Sequence, residues 1–477
     1  MIFNQTDMSS ILDVTGIRGR GLTQYELETL EIEGANGALI EDVKIPAKNL
    51  EVDVVIAGDS PEELRKNIDE INKVLSVDGP KGIVFPDEPG YTYYGMPEQS
   101  KEDEQIVATS ESTIVFFRED PFKYSDEIPV DIEDNSAVNI VYDGSYPTDP
   151  IFEFVAQEDI TFIQIATDEK EFMMIGRDQT PDEVTYDPDP IVLHDVMDDL
   201  GLWTTDNLVS VDGGELTGHF ISDGKLFTVE NYGNGSEWHG PALRRDLDNP
   251  VQDFRVEVIF TLKASSPEEI GRTELYLIGT NGKVLGKLAM KEIYATIDDG
   301  IGEVRIGDLD NGDMLVKGEG YQRRSYNQFH GKLWLRRDGN KLKAQIGEIL
   351  DDGTPANRMN SPEIEITDDA FLVELNALQI HIAKTGGYPE VDRAFIHDIK
   401  VHKLVAEATN KVPVIAKKDD VIRIDHENST ITINGENQKR LKNFAADFFS
   451  FHPGDNNLYI FPASSLSTMV RYKEKRL

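Results

Sequence analysis

Residues 254–262 read FRVEVIFTL. The even positions, Phe254, Val256, Val258, Phe260 and Leu262, are apolar. The positions between them are mostly polar, which is the two-residue period of a half-buried strand and not the 3.6-residue period of a helix. Outward from this stretch the same reading recurs. TIVFFR (113–118) is a β-rich run. Asn281-Gly282 and Asp338-Gly339 sit between strand-like runs and predict tight hairpins. VIRIDHENSTITING (421–435) predicts another, closed by Asn434-Gly435. One helix interrupts the pattern. Ser60-Pro61-Glu62-Glu63 supplies an N-cap, a proline at the first helical position and a capping-box glutamate. Leu64, Ile68, Ile71 and Leu75 follow on one face, and Asp78-Gly79-Pro80 ends it. The expected fold class is mainly β.

The chain has 477 residues, which favours about three domains. Acids number 88 and bases 47, a net charge of −41. Such a chain does not bind nucleic acid through a general basic surface. With no cysteine there are no disulfides, thiolate metal sites or cysteine nucleophiles. The N-terminus shows no secretion signal and no stretch reaches the length of a membrane helix, so the product is expected to be soluble when made, in a reducing cytoplasm. Charge is unevenly placed: 120–200 holds 22 acids against 3 bases, whereas 411–477 holds 11 bases and 8 acids. Thr180 to Pro190 carries three prolines and reads as an extended linker, and AEATNKVP past Leu404 reads as its counterpart. The segment between them is expected to be an inserted domain.

No P-loop, GxSxG elbow or HExxH motif is present, and the nine histidines form no ligand-spaced cluster. No catalytic residue, metal ligand or cofactor is expected. Asp308-Leu309-Asp310-Asn311-Gly312-Asp313, with Glu319 beyond, is faintly similar to a calcium loop. Its glycine comes one place early and no helices flank it, so a solvated turn is the expectation. The candidate site is aromatic. Sugars bind flat aromatic faces while polar groups take their hydroxyls. Trp238, Tyr232, His239 and Arg244 fall within one turn-rich stretch and are the candidate carbohydrate-binding residues, weighed against a core role for Trp238. Trp203 and Trp334 lie in or beside apolar runs and are expected in the core.

Several segments resemble the distal tail proteins of phages with long, non-contractile tails. VDVVIAG (52–58), the capped helix, YTYYGMP (91–97) and TIVFFR are similar to that family's ring-forming domain. DGSYPTDPIFEF (143–154), FMMIGRD (172–178), FHPGDNNLYIF (451–461) and MVRYKEKRL (469–477) are similar to its galectin-like β-sandwich. EWHGPAL (237–243) and AFIHDIKVHKL (394–404) resemble the inserted carbohydrate-binding modules of enlarged members, with a jelly-roll or concanavalin-like sandwich. The resemblance implies a ring-forming domain over 1–132, a galectin-like domain split into 133–190 and 406–477, and a carbohydrate-binding-like insert over 191–405. It implies a virion protein of the tail tip with no catalysis of its own. Its expected partners are itself as a homohexamer, the tail tube protein and the tail-tip hub protein. A receptor-binding protein and host cell-wall saccharide are further candidates, while no membrane is expected. The rival readings are another tail-tip component such as the hub protein, and a tail-borne polysaccharide hydrolase.

Overall fold

The computed structural model describes the chain except residues 35, 169, 352, 408 and 409 and the side chains of 99–106. Packing divides it into two compact units, 1–178 with 415–477, and 179–414. Both are built almost wholly of β-strands.

In the first unit an antiparallel sheet runs through Lys81–Val84, Tyr91–Ile106, Thr109–Arg118, Lys48–Ala57 and Asp13–Arg18. The helix Pro61–Leu75 buries Leu64 and Ile71 among Phe3, Leu50, Val52 and Phe116. Its start is the predicted cap: the Ser60 hydroxyl accepts the Glu63 N–H at 3.2 Å. The Glu63 carboxylate reaches back to the N–H of Asp59 at 2.8 Å, one residue before the usual capping-box partner. One hairpin, Glu26–Glu31 paired with Ala38–Lys44, is exposed along its whole length.

The rest of this unit is a sandwich. One sheet is built on Ile128–Ile132, Leu466–Tyr472, Ile151–Ala156, Val421–Asp425 and Thr430–Ile433. The other is built on Val138–Tyr142, Gly454–Phe461, Phe162–Thr167 and Phe172–Gly176. Phe152, Phe154, Ile165, Ile424 and Ile460 fill the space between them. Each sheet therefore interleaves strands from before and after the other unit. The short strand Lys475–Arg476 pairs with Lys123–Ser125, which itself pairs with Tyr91–Ile106, so residues 475–476 join the N-terminal sheet. The 421–435 stretch forms one hairpin and opens a second. The first turns at 426–429, where the Asp425 carboxylate accepts the Asn428 N–H at 2.9 Å. Asn434-Gly435, at φ +49 and +77, is the expected turn, but it joins Thr430–Ile433 to Glu436–Asn437, and the Asn434 side chain also accepts the Val421 N–H and donates to Asp420.

The second unit begins and ends in a parallel pair, Val184–Tyr186 with Lys411–Pro413. The proline-rich stretch expected as a linker is thus partly strand, because the outgoing chain supplies the backbone partners that its own sequence cannot. Residues 408–409 of the outgoing stretch lie outside the described residues. Between the pair stands a sandwich of two large sheets. The first sheet contains Phe227–Asn231, Arg393–Lys403, Phe254–Lys263, Phe329–Asp338, Lys341–Ile349 and Pro355–Asn360. The second contains Trp238–Gly240, Leu375–Thr385, Gly271–Gly279, Val284–Glu292, Gly300–Ile306 and Asp313–Gly318. Phe254, Val256, Val258 and Phe260 face Leu275, Leu288, Val304 and Ile380 in one core. The alternation in FRVEVIFTL is therefore real, but the strand is buried more fully than a half-buried one. Glu257 and Thr261 on its outer side are also buried, because strands on both flanks crowd them. Gly282 and Gly339, at φ +75 and +60, form the two predicted hairpin turns.

Candidate functional site

The four candidate residues do not form one surface. Trp238 and His239 are consecutive in a strand paired with Leu375–Thr385, so they point to opposite faces. Trp238 shares its face with Arg272, whose guanidinium carbon lies 4.7 Å from the ring centroid. His239 is buried, with Nδ1 2.8 Å from the carbonyl oxygen of Glu237. Tyr232 packs on the sandwich core, with the Lys384 ammonium 5.8 Å from its ring. Burial pushes its phenol up, beyond the usual range. Arg244 is held by Asp246 at 2.8 Å and by the carbonyl of Asn207 at 2.8 Å. The short sequence spacing that grouped them is divided by strand alternation. Trp203 is core as expected, donating its N–H to Asp195.

The outer face of the second sheet, away from the sandwich core, is polar and sealed. Lys287, fully buried, lies 3.3 Å from Glu274, 3.0 Å from Glu303 and 2.5 Å from Asp212. Arg305 grips both Asp212 oxygens at 2.8 Å, and His381 Nδ1 sits 2.9 Å from Glu274. The segment around Asp212 lies over this layer: Val209 exchanges two hydrogen bonds with Gln379, and the Asp212 carbonyl accepts from Arg272. Burial works against ionisation of Glu274, yet Lys287 and Arg272 hold it well below the usual carboxylate range. Glu303 is likewise lowered by Lys287 and Lys291 against burial. Carboxylates kept ionised and shut from solvent are poorly suited to protonate a leaving group. At the Asp308 turn, Asp308 accepts the N–H groups of Asp310 and Asn311 at 3.0 and 2.8 Å, as a solvated turn would. Among the described residues no group of three or more His, Asp or Glu side chains is placed to hold a metal ion.

Sequence reasoning missed Trp334. It is not in the core: Leu333 and Leu335 point inward, and Trp334 stands half-buried on the outer face of the first sheet. The apolar parity of KLWLR carried that signal. Across five strands the register aligns Lys400, Glu257, Trp334, Gln345 and Asn360 in one row. The indole N–H donates to Gln345 at 3.1 Å, and Gln345 donates on to Asn360 at 2.6 Å. Glu257 lies 3.0 Å from Arg255 and 3.6 Å from Lys332, which hold its carboxyl below the usual value against the opposing effect of burial.

Comparison with known proteins finds similarity at both ends of the chain. Residues 6–117 match the phage tail protein RIFT-related domain, and residues 388–475 match the siphovirus-type tail component, C-terminal domain. Both ends of the chain are thus similar to siphovirus-type tail domains, and the second match extends into Arg393–Lys403, the last strand of the inserted sandwich. Within that class the similarity is to distal tail proteins. The distal tail protein of Bacillus phage SPP1 is 34% identical over 133 residues, covering 28% of this chain and 53% of that protein. The chain spans about half the length of this curated relative. The crystal structure of SPP1 Dit aligns at 27% identity over 37% of this chain and 73% of its own, with a TM-score of 0.35. The CBM2 module of the evolved Dit of Lactobacillus casei BL23 phage J-1 aligns at 15% identity over 46% of this chain and 98% of its own, with a TM-score of 0.37.

Proposed function

We propose that this chain is a structural protein of a phage tail tip. It is made in the host cytoplasm and carried in the virion. It joins copies of itself in a ring, six by the resemblance, between the tail tube and hub proteins, and its inserted sandwich contacts saccharide on the host surface. The observation that supports this reading best is the pair of siphovirus-type tail domain matches at the two ends of a chain whose middle is a separate sandwich. The exposed hairpin Glu26–Lys44 supports self-assembly. It displays Leu27, Leu30, Leu39, Ile40 and Val43 to solvent, and a two-stranded hairpin is at best marginally stable alone in water. In this reading the protein has no catalysis of its own.

The test is to image the purified full chain by electron microscopy and weigh it by light scattering. A six-subunit ring is the expected result. A monomer at every concentration, alone and mixed with tail tube and hub proteins, would count against the ring.

A further inference from the structure

We propose that the outer face of the first sheet, centred on Trp334, binds an extended anionic glycan, a chain of sugar rings carrying phosphate or carboxylate groups. The inference rests on the reading that the insert contacts saccharide, and it names the face and the ligand class. The indole edge is already committed, since its N–H donates to Gln345. What remains for a ligand is the ring face, which suits the apolar C–H side of a pyranose. On the same row, Gln345 and Asn360 offer amide groups for hydroxyls, and Lys400 and Glu257 continue the row on the other side. The row crosses five strands spaced about 4.8 Å apart, so it favours a polymer over a single sugar.

Charge decides the class. The chain as a whole carries 88 acids and 47 bases. This face reverses that balance. Arg255, Lys332, Arg336, Lys343, Arg358 and Lys400 point outward from it, against Glu257, Asp398 and, 3.3 Å from Arg255, Asp189. Carboxylates at its rim, Asp338 and Glu363, answer Arg336 and Lys343 only in part, because those cations remain 39% and 50% exposed. A hollow of about 470 Å³ on the same sheet, lined by Lys263 and His330 with Glu348 and Asp351, does not share this cationic excess. Glycan rings alone do not call for so many cations, but an anionic chain does.

The experiment sediments the protein with purified cell walls of Bacillus, the genus named for the phage of the 34% identical relative, intact or stripped of all their anionic polymers, phosphate- and carboxylate-bearing alike. It compares wild type with Trp334→Ala, Trp334→Phe and Trp238→Ala, each checked for folding by circular dichroism. The wild type is expected to sediment with intact walls. Binding should fall at least tenfold with Trp334→Ala and with stripped walls, and stay within threefold with Trp334→Phe and Trp238→Ala. A folded Trp334→Ala that binds as wild type overturns the face while leaving the insert reading intact. Equal binding to stripped walls overturns the anionic ligand. A wild type that binds neither wall preparation overturns both this proposal and the saccharide reading of the insert.

Discussion

The guanidinium of Arg272 lies under the ring of Trp238, 4.7 Å from its centroid. Arg272 is almost wholly buried and donates at 2.7 Å to the carbonyl of Asp212. Trp238 is therefore a cover over a buried cation, and the pairing is electrostatic as well as apolar. Truncating it uncovers a buried charge and leaves it to Glu274, 3.3 Å away, and the Asp212 carbonyl. Trp238→Ala is expected to cost the 179–414 unit about 1–3 kcal/mol. Urea unfolding of the full chain measures this. A variant of wild-type stability would mean that the ring contributes nothing there.

Lys287 holds the polar layer together. It is the common neighbour of Glu274, Glu303 and Asp212, and those carboxylates in turn keep its pKa raised against burial. Lys287→Met leaves two buried acids, Glu274 and Glu303, and the half-buried Asp212 short of a cation. Breaking a buried pair from one side costs about 3–5 kcal/mol, whereas replacing a whole pair with apolar groups is often neutral. The expected result is a lower urea midpoint for the transition of the 179–414 unit, with the transition of the other unit unmoved. An unchanged midpoint would show that water already screens the layer.

How legible each feature was depended on how local its cause is. The helix was legible in full because Ser60, Pro61 and Glu63 decide its start within four residues. The inward face of FRVEVIFTL was legible because alternation is local too. That Glu257 is also buried was not, because Lys400 and Trp334, which flank it, are 143 and 77 residues away. The same reason defeats the site. Tyr232 and Trp238 are six residues apart, yet one packs on the core and the other covers Arg272. Trp334 was legible in principle, since Leu333 and Leu335 beside it set its parity. A run of apolar residues hides parity when it is read for hydrophobicity alone.

Two buried groups give the two units opposite responses to pH. Burial, with the charges of Asp298 and Asp299, pushes the Glu292 carboxyl up to about 7. Between its ordinary value of 4.5 and 7 the folded state holds the proton more tightly than the unfolded chain, so stability of the 179–414 unit falls as pH rises through that window. At ~1.4 kcal/mol per pKa unit the full contribution is about 3 kcal/mol. Burial pushes His426 the other way, down to about 4, while its Nδ1 accepts the Phe449 N–H at 2.8 Å. Here the unfolded chain binds the proton more tightly between 4 and 6.5, so the other unit loses a similar amount as pH falls through that range. Urea unfolding of the full chain at pH 5 and pH 8 should show two transitions moving in opposite directions. Glu292→Gln, which keeps an acceptor for the Asp299 N–H, should flatten the first and leave the second alone. Transitions that move together would show that other groups dominate.

The hairpin of Glu26–Glu31 and Ala38–Lys44 gives the ring its own test. Both strands are exposed on both faces, and the pair carries Glu26, Glu28, Glu31, Glu41 and Asp42 against Lys44. Its apolar side chains gain nothing from the unit that carries them, so removing it should cost that unit little stability. Replacing residues 23–45 with a short Gly/Ser bridge between Leu22 and Pro46 is expected to shift the unfolding midpoint of the first unit by less than about 1 kcal/mol. If the hairpin docks on a neighbouring copy, the same change removes apolar area from every interface of the ring, at about 25 cal/mol for each Å² lost. A cyclic assembly repeats that loss at each contact, so a modest area per copy is enough to break it. Light scattering of the shortened protein should then find monomers at concentrations where the full chain forms rings. The acidic strands add a second readout. If they meet a basic partner surface, assembly of the full chain should weaken as salt rises from about 50 to about 500 mM, since the screening length shrinks well below about 10 Å. Rings that form equally well without the hairpin would place the contacts between copies on the sheet edges instead, with Asp13–Arg18 as the edge strand to mutate next.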